Sequence, residues 1–181
     1  MLIIDSQAVK NTCTASVNSK EFCHYKCTNG IKPHLAVDTQ GFPFFTYCTP
    51  ANVSDDVSLI EMLSHNLDYF RALAGQIPKI TILQDNRYHP DIITAALQKV
   101  YTQILTKMRF QVAPKPTKAE KAVPGKSRFV PVATCWMIEQ SNAWVERCKS
   151  LIKNFERTLV KPIAKLNLCF IRLILKRLAS E

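Results

Sequence analysis

Two short apolar runs that each close on an aspartate constrain this chain more than any other feature. Leu2-Ile3-Ile4 ends at Asp5, and Ile80-Thr81-Ile82-Leu83-Gln84 ends at Asp85. Both runs are rich in β-branched residues and bounded by polar ones, which predicts two buried strands. A third acid, Glu139, follows Trp136-Met137-Ile138 at the start of a long helical pattern. Two carboxylates at strand ends and one on a helix can hold divalent metal beside a phosphodiester. Taken singly, an Asp after an apolar run is more often a turn or cap residue.

At 181 residues the chain fits one domain, residues 1–181, with room for a real core. Its 47% hydrophobic and 21% charged residues describe a globular chain and exclude a disordered one. The net charge of +10 is unevenly placed: residues 115–181 hold 14 Lys and Arg against 5 Asp and Glu, whereas residues 1–114 hold 10 against 9. A one-sided basic excess suits a polyanion, DNA or RNA, and equally a solvated basic face. Seven cysteines on a chain without a secretory leader predict free thiols in a reducing cytosol. Cys23-His24-x-x-Cys27 is a single cluster, short of the paired ligand sets that zinc sites show. No apolar run reaches the length of a membrane span; Leu166–Leu175 is broken by Asn167 and Arg172.

Residues 10–30 are polar and without a clear period. Lys32–Asp38 and Phe42–Thr49 then predict a hairpin turning at Thr39-Gln40-Gly41. Ser54-Asp55-Asp56 offers cap chemistry for a helix over about 55–73, and Pro90 opens another near 90–105. Phe110-Gln111-Val112-Ala113 reads as a fifth strand, and the proline- and lysine-rich 114–128 as an exposed insertion. From 136 the pattern is helical to 179, with Pro162 as the expected kink or break. Within it Lys165, Arg172 and Lys176 form a basic stripe opposite Leu166, Phe170, Leu173 and Ile174. The order of elements predicts a mixed α/β domain with a central sheet.

Several segments resemble the insertion-sequence DDE transposases, in particular the insertion-sequence-five-like group. Ile3-Ile4-Asp5-Ser6-Gln7-Ala8-Val9-Lys10 is similar to the first-Asp motif, and Leu83-Gln84-Asp85-Asn86-Arg87-Tyr88 to the second. His34-Leu35-Ala36-Val37-Asp38-Thr39-Gln40-Gly41 resembles the group's hairpin, and Pro50–Asp56 the segment that follows it. Trp136-Met137-Ile138-Glu139 with Ala143-Trp144 resembles the helix that bears the catalytic Glu, and Lys153–Leu178 the C-terminal end.

The resemblance implies a ribonuclease-H-like fold: a mixed five-stranded sheet flanked by helices, whose first and fourth strands carry the two aspartates. It implies DNA cleavage and strand transfer with two Mg²⁺ or Mn²⁺ ions, for which Asp5, Asp85 and Glu139 are both catalytic residues and metal ligands. Glu146, two turns beyond Glu139 on much the same face, is the rival third acid. Lys10, Lys32, His34, Arg147, Lys149 and Lys153 are the candidate DNA contacts. The implied partners are transposon-end and target DNA, with a homodimer or a full-length transposase besides, in the cytoplasm on the nucleoid and not at a membrane. The group has a helical DNA-binding region upstream of the first Asp, so the resemblance implies a truncated catalytic domain. Cys135 and Gln140 stand where the group commonly has arginines, and Pro33 where it has a basic residue. These departures support a second expectation, a catalytically inactive remnant that only binds DNA or a full-length transposase.

Overall fold

The structure is a computed structural model, described for residues 1–16, 21–72, 79–85, 87–100, 102–113 and 135–179. The expected insertion at 114–128 lies outside the described residues. A mixed sheet is flanked by helices. Its long strands are β1 (Leu2–Ser6), β4 (Thr28–Val37), β5 (Pro43–Pro50), β6 (Ile80–Gln84) and β7 (Met108–Val112). They lie side by side as β5-β4-β1-β6-β7; β6 runs parallel to β1 and β7, while β4 is antiparallel to β1 and β5.

Three short strands enlarge this sheet to eight: β2 (Val9–Asn11), β3 (Glu21–Cys23) and β8 (Lys153–Asn154). Two of them fall in the stretch where the sequence shows no period. β2 continues β1 along the same edge of β4 after a break at Gln7-Ala8, where Gln7 N donates to Pro33 O at 3.1 Å. Gly30 makes that continuation possible, because a Cβ there would lie 1.9 Å from Val9 O.

Strand alternation assigns each apolar residue to one of two cores. Ile4, Ala36 and Ile82 face α1 (Asp55–His65), α2 (Leu67–Ala72) and α3 (Pro90–Val100), where Leu59, Met62, Phe70, Ile93 and Leu97 bury against them. Ile3, Leu35, Val37 and Leu83 face the opposite way, onto Ile138, Trp144 and Val145 of α5 (Cys135–Glu146) and Leu166 and Phe170 of α7 (Val160–Leu178). A one-turn helix α4 (Thr102–Leu105) precedes β7, and a one-turn helix α6 (Lys149–Ile152) precedes β8.

Three sequence expectations are corrected. The helix over 55–73 is two helices, because Asn66 ends the first one, its N–H returning to the Leu63 carbonyl. The C-terminal helical pattern breaks at residues 147–159, not at Pro162, which sits in the first turn of α7, where its missing N–H has no helical acceptor to lose. Cys148 and Cys169 are joined as a disulfide that ties the start of α6 to α7, whereas free thiols were expected. Cys13, Cys23, Cys27 and Cys48 are free.

Candidate functional site

Alternation decides where the acids point. Asp5 follows Ile3 by two residues and Asp85 follows Leu83 by two, so both carboxylates lie on the face covered by α5 and α7. The two strands are parallel neighbours, with Ile3 opposite Leu83, so their C-terminal ends open together. An open cleft of about 310 Å³ lies there, lined by Asp5, Gln84, Asp85, Arg87, Ala113 and Glu139.

The position of α5 across this end of the sheet has identifiable anchors. Ser141 Oγ donates to Gly41 O at 2.7 Å, and Gly41 adopts φ +84°, where a Cβ would also stand 3.0 Å from that Oγ. Trp144 is buried next to Phe42, and the Arg177 guanidinium stacks 4.1 Å from the Trp144 ring. So placed, α5 presents Glu139 to the cleft, Asn142 to Asp5 and Glu146 to Gln7. Asn142 Nδ2 donates to Asp5 Oδ2 at 3.0 Å, and Gln7 Nε2 donates to Glu146 Oε1 at 2.8 Å. Glu139 therefore shares a cleft with Asp5 and Asp85, while Glu146 lines a separate hollow with Gln7 and Asn142.

Arg87 occupies the centre of the acids. Its Nε donates to Asp85 Oδ2 at 3.0 Å, its Nη2 lies 3.5 Å from Asp5 Oδ1, and its Nη1 lies 3.9 Å from Asp55 Oδ2. Beside it Tyr88 N donates to Asp85 O at 3.1 Å, and the Tyr88 ring is buried in the core. Burial raises Asp5 above its ordinary 3.8; the Ser6 backbone N–H, the Arg87 charge and the Asn142 amide pull it part of the way back, and Asp85 adds to the rise.

Behind the cleft, on the other face, is a buried polar cluster that local sequence patterns do not reveal. Asp55 Oδ1 accepts from Ser6 Oγ at 2.9 Å and from Lys32 Nζ at 3.0 Å, and Lys32 Nζ also donates to Val53 O at 2.6 Å. Burial pushes Asp55 up, but Lys32, then Ser6 and Arg87, outweigh it and hold the carboxyl below 3.8. Asp56 binds His89, taking its N–H and its Nδ1 at 2.7 Å each, so it caps α3 instead of its own helix, whose cap is Ser54.

The candidate DNA contacts divide. Lys10, Arg147, Lys149 and Lys153 are exposed, and Lys10 and Lys153 are paired neighbours on the β2–β8 ladder. Lys32 is buried in its ion pair, and His34 is 1% exposed with Nε2 bound to Thr49 Oγ1 at 2.9 Å. Both side chains are thus buried, unlike the other four candidates. Burial lowers His34 to about 3, which keeps the ring neutral. Of the C-terminal basic stripe, Lys165 is already paired with Glu156.

The donor chemistry for metal is present but its arrangement is not. Among the described residues no three His, Cys, Asp or Glu side chains are grouped closely enough to hold a metal ion. The guanidinium stands between two of the three expected ligands. Among the described residues no helix is long and apolar enough to cross a membrane.

Compared with known proteins, the chain matches no family model, no curated protein and no solved structure. The fold and site thus define a class and no more: a mixed α/β domain with acids gathered at the C-terminal ends of two parallel strands.

Proposed function

We propose that this chain is the catalytic domain of a DDE-type transposase, with a ribonuclease-H-like fold and a Mg²⁺- or Mn²⁺-dependent DNA cleavage and strand-transfer activity. One observation carries the reading: Asp5 and Asp85 end the first and fourth of the five long strands, and Glu139 reaches the same cleft from α5. The exposed Lys10, Lys153, Arg147 and Lys149 supply cations for a phosphate backbone, contacts that position DNA without reading its sequence. Homodimers or pairing with a full-length transposase on the nucleoid belong to the same proposal.

The test is incubation of the purified chain with supercoiled DNA and Mg²⁺ or Mn²⁺ beside an Asp85→Ala variant. Nicking by the chain and none by the variant supports the enzyme. A second reading, a remnant that binds DNA without cutting it, is favoured by the Arg87 contacts to Asp5 and Asp85. It predicts salt-sensitive binding and no nicking by either protein.

A further inference from the structure

The acids of the cleft are not short of a cation, because they carry one on the chain itself. Arg87 touches Asp85 and Asp5 and lies near Asp55, at 3.0, 3.5 and 3.9 Å, and these contacts come from three of its nitrogens. A guanidinium offers its donors in a rigid fork, so one planar group can answer carboxylates on several sides at once. Its outer side faces the exposed ring of Tyr25, whose centroid is 5.8 Å from Cζ.

We infer that Arg87 is the gatekeeper of this cleft, an internal cation that holds Asp5 and Asp85 closed against divalent metal and must leave before an ion can bind. The inference rests on the reading of Asp5 and Asp85 as metal ligands. It accords with two of the three acids of one cleft being engaged by the same guanidinium. Its geometry also permits release. The side chain is 32% exposed, and its partner Asp55 keeps Lys32 when Arg87 departs.

The consequence is a defined penalty on affinity. A site open in about one molecule in ten to one in a hundred binds its ion about 10- to 100-fold more weakly than the open form does.

Isothermal titration with Mn²⁺ alone tests this on the wild-type chain, Arg87→Ala, Arg87→Lys and Arg87→Ala/Asp85→Asn, with circular dichroism as the check on folding. Arg87→Ala is expected to bind Mn²⁺ about 10- to 100-fold more tightly, by removal of that penalty. Arg87→Lys keeps a charge but loses the fork, so it should gain less; the double variant should lose the gain. Equal affinity in Arg87→Ala and wild type overturns the inference, as does a gain that survives Asp85→Asn. Should Arg87→Ala fail to fold, Arg87→Lys decides alone: tighter binding than wild type supports the gate, and unchanged binding overturns it. Because no DNA is present, the outcome is separable from the transposase reading. A variant that gains Mn²⁺ and cuts nothing keeps the gate and removes the nuclease. A wild-type chain that nicks DNA while Arg87→Ala gains no Mn²⁺ does the reverse.

Discussion

Replacing Lys32 with Met removes the ammonium from a pair whose side chains are 10% and 11% exposed and whose charges stand 3.0 Å apart. The methylene stem stays buried, so the main loss is electrostatic. Breaking a buried pair from one side costs about 3–5 kcal/mol, because the remaining charge is stranded. Asp55 keeps the Ser6 hydroxyl and the more distant Arg87, which places the expected cost at the lower end, about 3 kcal/mol. For a chain of this size that is a fall of about 6–12 °C in Tm. Urea unfolding of the wild type, Lys32→Met, Asp55→Asn and the double variant gives the cycle. The double variant should cost less than the sum of the singles by about 2 kcal/mol. The pH dependence has a definite sign. Asp55 is held below 3.8 in the folded chain, so the coupling is present above pH 3.8 and is lost as pH falls through the lowered folded value. On the proposed function, DNA binding would supply the contrast: Lys32→Met should leave the salt slope unchanged, whereas Lys10→Ala should reduce it by about 0.9. A cost below about 0.5 kcal/mol, the level of an ordinary surface substitution, would refute the burial argument. Additive singles would refute the pairing.

Two further outcomes follow from buried groups. His34 is depressed from 6.5 to about 3, so its contribution to stability is present above pH 6.5 and is lost as pH falls toward 3. Between pH 6 and 4.5 unfolding free energy should drop by about 1.4 kcal/mol per pH unit more in the wild type than in His34→Gln; parallel curves would remove His34 as the cause. Opening the Cys148–Cys169 bond, which spans 21 residues, should lower stability by about 3 kcal/mol on chain-entropy grounds. Urea midpoints with and without dithiothreitol measure it, and coincident midpoints would contradict the bond's contribution.

The strands ending at Asp5 and Asp85 were readable because burial on both faces leaves a continuous apolar run, and alternation then tells which residues share a face. The hairpin was readable for a local reason too: Asp38 accepts from the N–H groups of Gln40 and Phe42, turn chemistry confined to a few residues. What stayed hidden joins residues far apart in sequence. β2, β3 and β8 are two or three residues each, and tertiary placement creates their ladders where no hydrophobic period could announce them. Asn142 reaches Asp5 across 137 positions, and its sole local sign is its place three residues after Glu139 and four before Glu146, on one helix face. The burial of Lys32 and His34, both named as candidate DNA contacts, was equally hidden, because a charge or an imidazole in a strand carries no local sign of the partner that receives it. Both alternate onto the inner face, where Asp55 and Thr49 receive them.

The buried Lys32–Asp55 pair connects the two halves of the site. Asp5 and Ser6 are adjacent on one strand and must face opposite ways, Asp5 toward the cleft and Asn142, Ser6 toward Asp55 on α1. A shift of α1 that moves Asp55 would therefore pull on the strand that carries Asp5. Arg87 closes the same circuit from outside, since it stands beyond the end of β6 and contacts Asp5 on one face and Asp55 on the other. The Lys32 pair thus does more than fill a core: it holds Asp55 where the Arg87 fork can span both faces. Weakening that pair should loosen Arg87 as well as destabilise the fold. Asp55→Asn should then raise Mn²⁺ affinity in the same direction as Arg87→Ala and by a smaller factor, whereas a purely structural Asp55 would leave affinity in the folded population unchanged.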